Sequence, residues 1–560
     1  MNRSFVRSFS LRVILLAFSL LAAVVASAQA PAPGTAAIDK AAQALVTAAF
    51  TADGPGGTVI IVKDGVAVYR AARGLASVEL GVPLQPDSAL RIGSVTKQFT
   101  SAAVMMLVEQ GKVALDDEIT RFFPDYPTRG KRITVEHLLT HTSGIKSYTS
   151  LPSWRAVWGK DFTTAELVDL FKNEPMDFDP GEKYQYNNSA YFLLGALIEK
   201  VSGTPYAEFV SKNIFTPLGM TSTSYGDTGP IVKGRAQGYA RDGGRVINAP
   251  YLSMTQPGAA GALVSTVDDL ARWDAAVSAG TLLKAASWQR VFTPYRLTNG
   301  RSTGYGFGWQ VGTFDGHPVQ EHGGGIHGFS AYVIRLPEHR VYVAVLANSS
   351  DANAGALARK LAALAAGKPL VDPQPISMPP AALAEYAGVY QFDDGKVVVT
   401  AADGLRVQPA GGSPARLIPM APDRFFVPDS FSRFAFERDQ AGKVVGLTRT
   451  TWNGGDKGRL TSEPLPAARR EVKIDPTIFD ACVGEYQLAP GFVLTVTREG
   501  DRFMSQATGQ GKVEIFAASE TEFFLKVVDA GLTFVKDAAG KVTGLVLHQN
   551  GRDMQAAKIK

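Results

Sequence analysis

The sequence predicts a protein of the α/β class. Its first domain combines an antiparallel sheet flanked by helices with a helical subdomain, and two all-β, barrel-like domains follow. Three observations lead there. Strand patterns stand at both ends of the first two-thirds of the chain, with helical periodicity between them. A proline-rich joint closes that region. The remainder then repeats itself in short strands and turns.

The N-terminus stands apart. Arg3, Arg7 and Arg12 precede an apolar run from Val13 to Val25, and small residues follow at Ala26 and Ala28. A charged start, a run too short to span a bilayer comfortably and a small-residue cleavage site mark residues 1–28 as an expected signal peptide. The mature protein is therefore expected to be exported, periplasmic or secreted, without stable membrane insertion. Cleavage would remove three arginines and no acid, taking the formal net charge from +5 to +2. So small a surplus argues against a nucleic-acid partner. The single cysteine, Cys482, leaves no disulfide within the chain, so stability must come from core burial.

Residues 36–367 form the expected catalytic domain. "TVIIVKDGVAVYRAARG" reads as a hairpin turning at Asp64-Gly65. Helical periodicity follows in "VTKQFTSAAVMMLVEQ", "VEHLLTH", "TTAELVDLFKN" and "SAYFLLGALIEKVSG". Strands return in "FSAYVIRLPEHRVYVAVLANSS", and "NAGALARKLAALAAG" closes the region as a helix. Terminal strands around a helical middle imply that both ends of the domain share one sheet.

The linker "KPLVDPQPISMPP", residues 368–380, precedes a change of grammar. "EYAGVYQF" resembles "ACVGEYQL", and "RFAFERDQAGKVVGL" resembles "LTFVKDAAGKVTGL". Gly388 and Tyr390 match Gly484 and Tyr486 at an offset of 96, while Gly442 and Gly446 match Gly540 and Gly544 at 98. Two barrel-like domains are expected at 381–461 and 477–560, joined by residues 462–476. Phe425, Phe426, Phe523 and Phe524 fall at equivalent places and read as core.

Chemistry is concentrated in the first domain. Ser94 and Lys97 lie three residues apart at the start of the helix-forming stretch "SVTKQFTSAAVMMLVEQ", so they share a face. The helix N-terminus favours an alkoxide, and an apolar setting would lower the lysine pKa from about 10.4, fitting it as a base. The competing reading is an N-cap serine beside a snorkelling lysine. A second S-x-x-K, Ser143 and Lys146, contains Gly144 and follows a helix end, which marks it as an accident. Tyr186 and Asn188 precede an apolar helix; a phenol beside a cation loses its proton more readily, and an amide can hold a carbonyl. The alternative is that Asn188 caps that helix. His322 opens "HGGG" ahead of a strand, where glycines allow substrate to approach the backbone. Gly323, Gly325 and Gly328 satisfy G-x-G-x-x-G but lead into a strand, not a helix, so no dinucleotide is expected. His137 and His141 have metal spacing without the glutamate of H-E-x-x-H. No cofactor and no metal is expected.

In order and spacing, "SVTK", "YNN" and "HGG", with flanks "LLTHTSGI" and "PGEKYQYNNSAYFLLGALIE", resemble the three motifs of the serine β-lactamase and penicillin-binding-protein superfamily. The likeness runs from Ala44 to Ala365 and is strongest to the class C β-lactamase branch, with its esterases, DD-peptidases and D-aminopeptidases. It implies a β-lactamase-like catalytic domain. It also implies Ser94 as acylating nucleophile, with Lys97 and Tyr186 handling its proton in an order left open. Asn188, His322 and Gly324 would contact substrate, and the backbone N–H groups of Ser94 and Gly325 would form the oxyanion hole.

One departure is informative. Many members carry lysine where this chain has His322, whose ordinary pKa of about 6.5 leaves it mostly neutral at pH 7. A neutral imidazole is a weak carboxylate anchor. The expected substrates are small molecules or peptides: D-amino peptides, D-amino amides or small esters. The alternatives are β-lactam or DD-carboxypeptidase activity, or a penicillin-binding sensor that acylates without turnover. The two β units are similar to the D-aminopeptidase architecture, in which a C-terminal domain reaches the cleft, so tail loops are expected to tune access. Oligomerisation is left open.

Overall fold

A computed structural model describes residues 35–560, apart from 403, 411, 467–470, 490–491, 509–510, 529 and 550–551. The expected signal peptide lies outside the described residues. Among those residues, no helix is long and apolar enough to cross a membrane.

The catalytic region is organised by a six-stranded antiparallel sheet. Its order is Gln310–Phe314, His317–Ile326, Phe329–Leu336, Val341–Ala347, Gly57–Lys63, Val66–Arg73. The N-terminal hairpin thus completes a sheet begun by the C-terminal strands, with Val59 opposite Val345. The hairpin turns at Asp64 (φ 52°) and Gly65 (φ 78°), the paired positive φ values that a tight turn between twisted strands requires. Every residue of Val341–Ala347 is buried, because both faces of this central strand are covered. Helices Thr35–Ala49 and Ala354–Ala365 close one face, where Ala42, Val46 and Phe50 pack with Leu357 and Leu361. Helix Val267–Ser278 and the helical subdomain close the other.

The subdomain is built around two helices, Thr96–Glu109 and Asn188–Ser202. The first buries every residue from Thr96 to Met105, so it is a central rod and not an amphipathic surface helix. Phe99, Leu193 and Trp273 lie in one continuous core; full burial of a side chain such as Leu193 stabilises by about 1.5–3 kcal/mol. A Cβ on Gly195 would stand 2.6 Å from the Ala259 Cβ, so glycine lets the Gly258–Gly261 turn press against the second helix. That contact matters because the turn carries the Ala260 carbonyl.

The β region begins with a nine-stranded antiparallel sheet, Gly388–Leu460, that nearly closes, followed by a closed eight-stranded barrel, Gly484–Lys558. The repeat is visible in three dimensions. Tyr390 Oη donates to the Tyr386 carbonyl at 2.8 Å, and Tyr486 Oη to the Cys482 carbonyl at 2.6 Å. Phe425 lies opposite Phe434 as Phe523 lies opposite Leu532. Phe425, Phe426, Phe523 and Phe524 are all buried. The strand corresponding to Val513–Ala517 is broken at Leu417 in the first unit, leaving Ala415–Arg416 and Ile418–Ala421 as two edges.

Candidate active site

Ser94 lies in a single 3-10 turn, Gly93–Val95, which runs directly into the Thr96–Glu109 helix. Neither segment has a side-chain cap, so Ser94 does not serve as an N-cap. Its hydroxyl is half-buried and meets Lys97 Nζ at 3.0 Å. Lys97 itself is completely buried. Its other two contacts are Asn188 Oδ1 at 2.9 Å and the Ala260 carbonyl at 2.7 Å. Among the described residues no carboxylate pairs with it. Burial alone drives its pKa well below the ordinary lysine value, because a buried ammonium without a counter-charge is costly. In the neutral amine, two N–H bonds satisfy the two carbonyl-type acceptors, and the lone pair is left facing the Ser94 hydroxyl proton. That is the geometry of a base.

Two adjacent asparagines divide two tasks. Asn187 caps the Asn188–Ser202 helix, its Oδ1 accepting from Ala190 N at 3.0 Å. Asn188 is therefore free of capping. Its oxygen takes Lys97, and its Nδ2 donates to Thr149 Oγ1 at 3.1 Å, which fixes the amide orientation. One amide hydrogen remains for a substrate carbonyl.

Tyr186 differs from expectation. Its hydroxyl is out of solvent and interacts with Ser94, an interaction that favours the anion, yet the pair lacks the alignment of a full hydrogen bond. Burial dominates and raises the phenol pKa well above its usual value. Proximity to Lys97, which lies 4.8 Å from the ring centroid, does not reverse this. Of the two candidates for the base, the amine is the group whose environment disfavours its proton.

His322 is 2% exposed. Its Nδ1 faces the Gly323 carbonyl at 2.6 Å and must donate to it, so Nε2 accepts from Tyr305 Oη at 2.8 Å. Burial, assisted by Lys97, pushes its pKa down to about 3. The imidazole is neutral, and both nitrogens are occupied within the protein, so in this arrangement it presents no polar atom to a ligand.

The glycines that follow build the seam. A Cβ on Gly324 would lie 1.9 Å from the Ile92 carbonyl oxygen and 3.2 Å from Ser94 N, so only glycine lets the strand lie flush against the serine turn. Gly324 is buried in that seam. Gly325 is exposed, and a Cβ there would meet nothing within 4 Å. Its nitrogen lies 3.0 Å from where a Cβ on Gly93 would stand, next to Ser94. The Gly325 nitrogen thus lies against the turn that carries Ser94.

The S-x-x-K copy at Ser143 and Lys146 has no such partners: Lys146 pairs with Asp177 at 2.6 Å. His137 Nδ1 accepts from the Thr134 amide at 3.3 Å, and its Nε2 meets Tyr295 Oη at 3.2 Å. His141 Nδ1 accepts from Asn187 N at 3.1 Å. Sequence spacing had not singled out the aromatic cage around His141. Its ring lies 4.3 Å from Tyr186, 4.7 Å from Tyr305 and 5.0 Å from Tyr191, centroid to centroid. A positive φ of 59° at His141 holds it there, a feature with no sequence signature. The Ala260 carbonyl was equally illegible, because any residue supplies one.

A half-buried serine hydroxyl facing a fully buried amine is the arrangement of a serine hydrolase of the β-lactamase fold. The comparisons give the lineage. Residues 38–368 match the family described as Beta-lactamase, and the chain belongs to that family. Residues 468–558 match a domain of unknown function, DUF3471. The chain is 26% identical over 525 residues to penicillin-binding protein 4* of Bacillus subtilis, covering 90% of this chain and 95% of that protein. It is 26% identical over 410 residues to the D-aminopeptidase of Gluconobacter oxydans, covering 72% and 73%. Among solved structures, the octameric penicillin-binding protein homologue of Pyrococcus abyssi superposes with a TM-score of 0.54 at 27% identity, over 75% of this chain and 99% of that one. The D-stereospecific amidohydrolase of a Streptomyces species gives 0.52 at 28% identity, over 58% and 98%.

Proposed function

We propose that the mature protein is an exported hydrolase that forms an acyl-enzyme on Ser94 and cleaves amide or ester bonds, preferring D-amino peptides, D-amino amides or small esters. The observation that carries this reading is the Lys97 amine, wholly buried without a counter-ion and 3.0 Å from Ser94 Oγ. As Ser94 Oγ bonds to the substrate carbonyl carbon, its proton passes to Lys97, and the developing oxyanion takes hydrogen bonds from the Ser94 and Gly325 amides. Expulsion of the amine or alcohol consumes that proton, with Tyr186 and Lys97 as carriers. Water, deprotonated by the same base, then releases the acid and restores Ser94.

The neutral, enclosed His322 supports substrates without a carboxylate at its position. Likeness to a D-aminopeptidase and to a D-stereospecific amidohydrolase agrees with the D-amino preference. A second reading, acylation by a β-lactam or a DD-peptide, is favoured by the near full-length likeness to penicillin-binding protein 4*. A rate panel of p-nitrophenyl butyrate, D-Ala-p-nitroanilide, a D-Ala-D-Ala peptide and a chromogenic cephalosporin separates them, run with wild type and Ser94→Ala. Turnover of the first two, abolished in Ser94→Ala, is expected. Efficient cephalosporin hydrolysis with poor ester and amide turnover would reverse the assignment.

A further inference from the structure

The Tyr186 hydroxyl is out of water and has no aligned hydrogen-bond partner among the described residues. Residues 183–187 form neither helix nor strand, so no regular ladder sets the backbone that carries it. The place of the phenol beside Ser94 therefore depends on what packs against this segment.

His141 holds the segment on both sides of Tyr186. Its carbonyl accepts from the Gln185 amide at 3.0 Å, and its Nδ1 accepts from the Asn187 amide at 3.1 Å. Between those two bonds the imidazole packs on the phenol, ring centroids 4.3 Å apart and planes inclined by 42°. His141 presents carbonyl and ring to one segment from a left-handed backbone, φ 59°, which histidine tolerates better than most side chains. The residue is fully buried. Because Nδ1 accepts, the neutral ring carries its proton on Nε2, which has no acceptor among the described residues. Burial, with Lys97 and His322 nearby, holds the imidazole pKa well below its usual value, so the ring stays neutral. It meets Tyr186 through ring packing and not through a hydrogen bond.

Resting on the hydrolase reading above, we propose that His141 is a positioning residue: it sets the height and tilt of the Tyr186 ring so that the phenol can pass a proton to the departing nitrogen of an amide substrate. As the C–N bond breaks, its electron pair goes to nitrogen, which takes the Tyr186 proton. The Lys97 ammonium, protonated when Ser94 attacked, then restores the phenol. A p-nitrophenyl ester expels an anion that is stable without that proton, so its acylation step bypasses Tyr186.

The test compares kcat/KM on D-Ala-p-nitroanilide and on the p-nitrophenyl ester of D-alanine, which share an acyl group and differ in their need for the proton. Because kcat/KM reports the steps through acylation, deacylation does not blur the comparison. His141→Phe keeps a ring but removes the acceptor for the Asn187 amide. His141→Asn keeps an acceptor and suits a left-handed backbone, but removes the ring. Each should lower the amide-to-ester ratio, His141→Phe by about tenfold, and Tyr186→Phe should lower it too. Added to Tyr186→Phe, neither change should lower the ratio further, because both act through the same phenol. An unchanged ratio, an equal loss on amide and ester, or additive losses in the double variants overturns the proposal. If His141→Phe does not fold, His141→Asn alone decides by the same criteria. If the wild type turns over neither substrate, the hydrolase reading fails, and a crystal structure of His141→Asn decides the positioning. A Tyr186 hydroxyl displaced from Ser94 supports it, and an unmoved one refutes it.

Discussion

The Trp452 indole N–H donates to the Glu321 carboxylate at 2.9 Å, so the first β unit directly holds the residue that precedes His322. Glu321 is fully buried and also accepts from Arg359 at 2.7 Å and from Asn453 at 3.0 Å. Stripping a donor from a buried carboxylate costs about 1–3 kcal/mol. Trp452→Phe should therefore lower the melting temperature by several degrees. Truncation after residue 367 should do more, since it removes two donors and uncovers Phe314, stacked on Trp452 at 4.1 Å. The second barrel contacts the catalytic region as well, Arg155 donating to the Thr508 carbonyl at 2.7 Å. A stable truncate with unaltered substrate selectivity would show that the tail does not tune the cleft.

With Lys97 as the proposed base, the pH dependence of kcat/KM should show one limb, rising with pH and centred well below the ordinary lysine value of about 10.4. No histidine step should appear between about pH 5 and 8, since His322 is pushed down to about 3 and His141 well below its usual value. Stability carries the same sign. The unfolded chain binds a Lys97 proton that the folded one does not, so folding is disfavoured as pH falls from about 10.4 through the lowered pKa. Chemical denaturation against pH should show this rise, and Lys97→Met should flatten it. A limb near the histidine value that disappears in His322→Gln would contradict the assignment.

Neighbouring asparagines should fail in different ways. Asn187→Ala removes a cap worth about 1 kcal/mol, together with its Nδ2 bond to the Ile145 carbonyl, and should register first as lost stability. Asn188→Ala withdraws one of the two carbonyl-type acceptors from Lys97 and should reduce kcat by about 10²-fold, with a smaller change in melting temperature. Equal thermal losses with equal kinetic losses would dissolve the distinction.

Consecutive glycines should also separate. Gly324→Ala forces a Cβ to within 1.9 Å of the Ile92 oxygen, so the strand must shift from the serine turn, lowering both stability and kcat. Gly325→Ala meets open space and keeps its backbone N–H, so its melting temperature should match that of wild type. Thermal melts of the two variants decide whether the seam is packed as described.

Much of this protein was legible as a one-dimensional pattern. The i, i+3 spacing of Ser94 and Lys97 placed them on one helical face, and their contact at 3.0 Å follows from helix geometry alone. The β repeat was equally readable, because equivalent tyrosines make equivalent bonds to the carbonyl four residues earlier. Such features depend on neighbours within a turn or two, or on residues recurring at a fixed offset.

Tertiary structure decided the rest. Nothing near Lys97 in the chain announces that its remaining contacts are 91 and 163 residues away, or that none is an acid. That absence, with complete burial, sets the protonation of the amine and makes Lys97 rather than Tyr186 the base candidate. The sequence likewise could not reveal that Gly324 packs against Ile92 while a side chain at Gly325 would meet nothing within 4 Å. Residue type determined which chemistry this chain could perform; protonation and access were settled by desolvation and close packing between distant segments, which no local pattern encodes.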